Sequence, residues 1–273
     1  MPSAEVGSGP GAAPGTFGVV GFGRMAQALV APLMESGQLG AASIRAAVAS
    51  EASRERLASS GLQVSTNPEA AWACPVVVLA VKPQQLEAAA RAAAGPGGLL
   101  ISVLAGVRLQ RLEELFPRWR CVRAVPNTPS LVRSGLTGLA WGAGVEAAER
   151  TWVRQLFGQV GEVHELPEAQ LDPFLALTSS GPAFVALVAE ALADGAVAAG
   201  LPRALASHLA HRTLAGSAAL LHEQELHPGQ LKDMVGSPAG TTMAGIRQLE
   251  RAGLRSALIE AVIAATERSR QLG

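Results

Sequence analysis

Tyrosine is absent from the 273 residues, and lysine occurs only as Lys82 and Lys232. Together these gaps remove whole mechanisms. No Tyr–Lys acid pair can be assembled, and a lysine acid would have to be one of the two. Cysteine is scarce as well: Cys74 and Cys121 stand in no metal-binding spacing. A disulfide framework is therefore not expected, and a reducing, cytoplasmic compartment is. Formal net charge is zero, so no basic surplus points to nucleic acid. Of the five histidines, His208 and His211 could share a helix face. No cysteine partner or His-Glu-x-x-His pattern accompanies them, and no metal is expected. Long apolar runs are missing too. The longest, 181–201, contains Glu190 and Asp194; it reads as a buried helix rather than a membrane span.

What is present supports one large domain or two ordinary ones, since 49% of residues are hydrophobic. Residues 1–15 are rich in Gly, Pro and Ala and read as a disordered tail. They carry no Arg and no apolar core, unlike a transit or signal peptide. A short β-prone run, Thr16 to Val20, follows. Gly21, Gly23 and Ala26 then give G-x-G-x-x-A, and Met25, Ala28, Leu29 and Leu33 recur at helical spacing. Strand, tight turn and helix are the context of a dinucleotide fingerprint. Gly21 permits the turn and Gly23 lets the backbone approach a pyrophosphate. Ala26 allows helix and strand to pack closely, and the helix start offers free N–H groups.

The second strand is expected at Ile44 to Ala49. An NAD-specific fold would close it with Asp or Glu to read the ribose diol. Here Ser50 comes first, with Arg54 and Arg56 behind it and Glu51 adjacent. A hydroxyl with nearby guanidinium suits a 2′-phosphate. NADPH is favoured, NADH stays open, and a solvated helix face explains the arginines equally well. Further strands are expected at 76–83, at 99–107 and from 120, the last ending in Pro126, Asn127, Thr128 and Pro129. Regular β-α alternation predicts a doubly wound α/β sheet of Rossmann type over 16–166. Ligands of such sheets lie beyond the carboxyl ends of the strands. Three of those ends are Lys82-Pro83, Ala105-Gly106 and Asn127-Thr128-Pro129.

Residues 167–273 read as all-helical, with helices near 168–178, 181–199, 202–223, 228–235, 240–251 and 254–271. Ser180 before Gly181-Pro182 fits an N-cap. A half this rich in small residues cannot close a thick core alone and is expected to pack on a second copy of the chain.

The segments VGFGRMAQAL, LAVKP, VPNTP, SGPAFVALVAEALADGAVAAGLPRALA and HPGQLKDMVGSPAGTTMAGIRQLERAGLRSALIEAV resemble the pyrroline-5-carboxylate reductase family. The likeness covers nearly all the chain after the tail. It departs at Ala239 and Ile246, where Gly and Leu are usual. The chain resembles the short cytosolic form. The resemblance implies NAD(P)H-dependent reduction of 1-pyrroline-5-carboxylate to L-proline, an N-terminal Rossmann domain, and a helical domain forming a homodimer, with five dimers in a decamer. It implies that Val20, Gly21, Phe22, Gly23, Arg24 and Met25 hold the pyrophosphate. Asn67 and Ala80, Val81, Lys82 and Pro83 would line the adenosine and ribose side. Val103, Leu104, Ala105, Pro126 and Asn127 would lie near the nicotinamide. Animal members show Ser-Pro where this chain has Val48-Ala49, ahead of Ser50. Some relatives touch cofactor with Asn where this chain has Met234. A glutamate contacting substrate is Glu223 or Glu225; spacing leaves both open.

The stretch from Gly236 to Thr242 interrupts helix with small and β-branched residues. A capped turn, with Ser237 as N-cap and Pro238 first in the helix, would explain Ser-Pro. It would not call for Gly240-Thr241-Thr242, because Thr is a poor helix former. A substrate carrying a carboxylate and a ring imine needs amide donors, which a helix start supplies, and a hydroxyl near nitrogen, which Thr242 supplies. Ser237, Gly240, Thr241 and Thr242 are thus the expected substrate residues, with Thr242 the catalytic one. Rival readings are a β-hydroxyacid dehydrogenase, a general imine reductase and a non-catalytic NADPH sensor. Hydroxyacid enzymes of this fold place a lysine on the first long helix of the second domain, and 181–199 has none.

Overall fold

The computed structural model describes residues 15–37 and 39–272; the rest of the expected tail lies outside them. Strands β1 (Phe17–Val20), β2 (Ile44–Ala47), β3 (Gln63–Ser65), β4 (Val76–Leu79), β5 (Gly98–Ser102), β6 (Trp119–Val125), β7 (Gly135–Trp141) and β8 (Gly161–Glu165) form one sheet. Their order is β3-β2-β1-β4-β5-β6-β7-β8. Every neighbouring pair is parallel except β6 and β7. The chain winds outward from β1 in both directions, so the order reverses between β1 and β4, where a doubly wound sheet binds its ligand.

Continuous apolar strands follow from cover on both faces. Val76 and Val78 of β4 join one core cluster, and Val77 and Leu79 join the other. The first face is closed by α1 (Arg24–Glu35) and, later in the chain, by α6 (Ala147–Gly158), through Leu29, Leu33, Val153 and Phe157. Beyond β2, α2 (Glu51–Arg56) buries nothing. The second face is closed by α3 (Glu69–Trp72), α4 (Leu86–Arg91) and α5 (Leu109–Leu115), joined by α7 (Leu171–Thr178). Trp72 sits there against Phe116 and Trp119, with ring centroids 5.6 and 5.5 Å away.

One compact unit runs to Ser179 and also takes in the residues from Ala265; the other is Ser180–Ala264. Two local features account for α7 staying with the sheet. Gly138 of β7 leaves a notch: a Cβ there would meet Leu171 Cδ2 at 2.8 Å and Phe174 Cδ1 at 2.9 Å. Below it Arg123 of β6, 1% exposed, donates to Asp172 of α7 at 3.0 Å and to Glu168 at 3.3 Å. Ser269 near the chain's end donates to the same Asp172 oxygen at 2.9 Å.

The second unit holds α8 (Gly181–Ala198), α9 (Arg203–Glu223), α10 (Pro228–Val235), α11 (Thr241–Arg251) and most of α12 (Leu254–Gln271). These bounds match the expected helices to within a residue. Two expectations need correction. Ser180 holds the N-cap position of α8, but its side chain makes no capping bond. The apolar helix 181–198 is not buried in the single chain. Only Ala189 and Ala193 are buried, while Val185 and Leu187 are 53% and 67% exposed. Small residues form the seam to α9, where Ala193 meets Ala206 and Ala210 and Val197 packs against them, while Val185, Leu187 and Leu192 lie exposed. By length and composition Glu168–Ala198 could cross a membrane, with mean hydropathy 1.5 and 11% burial. In the structure it breaks at Ser179–Ser180 into α7, packed on the sheet, and α8, 18 residues with two acids inside.

Candidate active site

The expected cofactor residues all fall at the carboxyl ends of parallel strands. After β1, Gly21 takes φ +88°, which an L side chain rarely adopts. A Cβ on it would lie 2.6 Å from the Ala80 carbonyl oxygen, so the turns after β1 and β4 touch only because this residue is glycine. Gly23 is the N-cap of α1, no side chain caps the helix, and a Cβ would meet nothing within 4 Å. Backbone donors therefore open onto free space, as a pyrophosphate requires. Ala26 is fully buried beneath them. A dinucleotide fits this turn.

After β2, Ser50 caps α2, accepting from the Ser53 amide at 3.3 Å. Its hydroxyl also lies 3.0 Å from Ser53 Oγ, which accepts from Arg56 at 2.9 Å. Arg54 is paired with Glu51. The Arg54 hydrogen bond holds the Glu51 carboxyl below its usual range, and the same contact raises the guanidinium. The acid that obscured the reading of this loop is thus held in a local ion pair. After β3, Asn67 forms an Asx turn, its Oδ1 accepting from the Glu69 amide at 3.0 Å. Ala80 to Pro83 follow β4, with Lys82 exposed. Val103 to Ala105 follow β5, and Leu104 is 2% exposed, so only its backbone can face a ligand. Pro126 and Asn127 follow β6, and Asn127 is 3% exposed.

In the helical unit the break before α11 has a different form from the capped turn considered above. Gly240, not Ser237, is the N-cap, and no side chain caps the helix. Ser237 closes the preceding turn by accepting the Gly240 N–H on its carbonyl at 3.0 Å. The amides of Thr241 and Thr242 open the helix as free donors. Ala239 adopts φ +56° in that turn, a left-handed conformation that suits glycine better than alanine. Thr242 borders a cleft of about 600 Å³ with His227, Lys232, Ile246 and Arg255. Lys232 is one of the two lysines singled out in the sequence; His227 and Arg255 were not expected here, and no local pattern links Arg255 to the other two. Glu223 ends α9, and Glu225 follows it at φ +47°; both are exposed, as is Met234. Among the described residues, no group of three or more His, Cys, Asp or Glu is placed to hold a metal.

A glycine turn of this kind, on a sheet of this order, defines a Rossmann-type chain of the dinucleotide-binding class. Residues 16–106 match the family described as NADP oxidoreductase, coenzyme F420-dependent, and residues 168–272 match pyrroline-5-carboxylate reductase dimerisation. The chain is 45% identical to the pyrroline-5-carboxylate reductase of Synechocystis sp., over 94% of its own length and 98% of the relative's. It is 39% identical to that of Pisum sativum, over 94% and 96%. It superposes on the Plasmodium falciparum pyrroline carboxylate reductase, solved with NADP bound, with a TM-score of 0.86 at 28% identity, covering 94% and 98% of the two chains. The chain belongs to the pyrroline-5-carboxylate reductase family.

Proposed function

We propose that this protein reduces 1-pyrroline-5-carboxylate to L-proline, with NADPH as reductant. The observation that carries this reading is the uncapped start of α11 at Gly240-Thr241-Thr242, within a chain related to these reductases along 94% of its length. NADPH, when bound, would supply the hydride that reduces the imine carbon. The chain's own residues do the rest. Val20 to Met25 hold the pyrophosphate. Ser50, Asn67 and Ala80 to Pro83 serve the adenosine ribose side, and Val103 to Ala105 with Pro126-Asn127 frame the nicotinamide. The α11 amides, helped by the helix dipole, hold the substrate carboxylate. Thr242 Oγ sits beside the ring nitrogen, which ends as a protonated amine. A threonine is too weak an acid to protonate it outright, so Thr242 orients the nitrogen and relays a proton from water. Glu223 or Glu225 adds a substrate contact. The working form is a homodimer built through the helical domain, five dimers to a decamer, in the cytoplasm.

The test follows absorbance at the NADPH band with 1-pyrroline-5-carboxylate, and with 1-pyrroline, which lacks the carboxylate. Oxidation with the first and little with the second is expected. Equal rates would make the chain a general imine reductase, and binding of NADPH without turnover would make it a sensor. Cofactor preference is read in the same assay: kcat/KM favouring NADH tenfold would reject the assignment of Ser50 and its neighbours to a 2′-phosphate.

A further inference from the structure

Asn127 was expected beside the cofactor, yet its side chain is occupied elsewhere. Its Oδ1 accepts the Leu136 N–H at 2.8 Å, and its Nδ2 donates to the Thr178 carbonyl at 3.0 Å. A main-chain N–H can only donate and a carbonyl can only accept, so these partners fix which way the amide points. Aspartate would put an oxygen against the Thr178 carbonyl. A serine offers a single atom for two partners on different segments. Beside it, Ser179 Oγ donates to the Pro126 carbonyl at 3.2 Å. Two bonds thus tie the loop at the carboxyl end of β6 to the end of α7, and a third fixes the start of β7. Ser179 is also the last residue before the chain passes into the helical unit.

We propose that Asn127 is a positioning residue for hydride transfer, acting through the Pro126-Asn127 loop and the Thr178–Ser179 segment rather than by touching cofactor. The inference rests on the proposed reductase activity. The Pro126-Asn127 loop frames the nicotinamide in that reading, and hydride transfer is steeply sensitive to placement. Loosening the loop should disturb the reacting geometry more than it disturbs overall cofactor affinity, because the pyrophosphate turn at Gly21–Gly23 lies after a different strand.

The experiment uses the full chain with Asn127→Ala, Asn127→Asp and Ser179→Ala. NADPH affinity is read by fluorescence titration, kcat at saturating substrates, and the Leu136 amide by hydrogen exchange. For Asn127→Ala the expected result is faster Leu136 exchange, cofactor Kd within about threefold of the parent, and kcat lower by about tenfold to a hundredfold, the scale of loss from a displacement near 1 Å. Asn127→Asp should share the kcat loss while keeping Leu136 protected, because an oxygen remains to accept that N–H. Ser179→Ala removes the longer bond and should show a smaller loss of the same kind. Should Asn127→Ala fail to fold, Asn127→Asp and Ser179→Ala decide by the same split. A Kd raised tenfold or more with kcat kept would overturn the proposal, as would unchanged kcat in all three. If the parent binds NADPH but reduces no 1-pyrroline-5-carboxylate, the functional reading fails separately. The clasp is then judged by Leu136 exchange and Kd: unchanged exchange or a tenfold weaker Kd in Asn127→Ala overturns it.

Discussion

The sheet unit and the helical unit bury their side chains in opposite ways. The first closes its core within one chain. Val19, Val77, Leu79, Leu100, Ile101, Leu112 and Phe157 are each at most 1% exposed. The second buries little but alanine in the single chain, chiefly Ala189, Ala193, Ala206 and Ala210. Its large side chains lie outside: Leu187 is 67% exposed, Ile259 58% and Leu192 46%. Exposed apolar area on this scale is not tolerated by a free monomer. An interface between copies of the chain disposes of it, in keeping with the match to a dimerisation domain. The two halves of the sequence therefore carry different instructions. One specifies a fold, and the other specifies a fold together with its partner surface.

The sharpest way to break that contrast is to charge the helical surface. Leu187→Arg combined with Ile259→Arg should abolish the dimer and activity together. An unpaired charge buried in an interface costs about 3–5 kcal/mol, and a two-fold axis counts each substitution twice. Sedimentation showing a stable, fully active species in this variant would mean that the helices complete themselves. The matching attack on the sheet unit is Gly21→Ala. Its Cβ would stand 2.6 Å from backbone at Ala80, which no rotamer change relieves. Overpacking of about 1–3 kcal/mol and positive-φ strain of about 1 kcal/mol or more should weaken NADPH binding by roughly a hundredfold with the dimer intact. Retained affinity would show that the turn adapts.

Next in size is Thr242→Val. Loss of one preorganised donor costs about 2.7–4 kcal/mol, or roughly a hundredfold to a thousandfold. Water can partly replace the hydroxyl, so kcat should fall by about a hundredfold or less, with NADPH affinity little changed and much activity restored in Thr242→Ser. Full kcat in Thr242→Val would reduce the α11 start to a carboxylate site.

Much of both regions was legible, and the failures share causes. The fingerprint turn and the helices of the second half stood out because apolar spacing, Gly and Pro mark them locally. Strands β3, β7 and β8 did not. Gln63–Ser65 is three residues of mostly polar edge, and β7 carries Gly135 and Gly138, whose value lies in admitting Ser130 and α7. Closeness of that kind is set by chain elsewhere and leaves no local pattern. The site divides likewise. Gly240-Thr241-Thr242 is out of place in a helical sequence and could be read. The Glu51–Arg54 pair and the Asn127 clasp depend on side-chain partners and could not. The composition of α8 is that of a buried helix, and its exposure in the single chain accords with the expectation that this half packs on a second copy.

The smallest expected effect concerns the two turns that serve the two units. The nucleotide turn places glycine at φ +88°, whereas the turn before α11 places Ala239 at φ +56°. A left-handed conformation costs an L residue roughly 1–2 kcal/mol. Ala239→Gly removes that strain but gives the unfolded chain more freedom, which offsets about 0.4–1 kcal/mol of it. The net gain should be a few tenths of a kcal/mol to about 1 kcal/mol, a rise in Tm of no more than about 2–4 °C. Ala239→Val should move the other way and further, because a β-branched side chain suits positive φ least. Thermal unfolding of the two variants beside the parent checks the sign. If Ala239→Gly is less stable than the parent, the turn is held by its surroundings without strain, and alanine stabilises the chain by restricting its unfolded state. If it is more stable and kcat is unchanged, the strain serves no catalytic purpose. If it is more stable and kcat falls, the alanine holds the Thr241 and Thr242 amides in place, and the helical unit stores at its turn what the sheet unit avoids by using glycine.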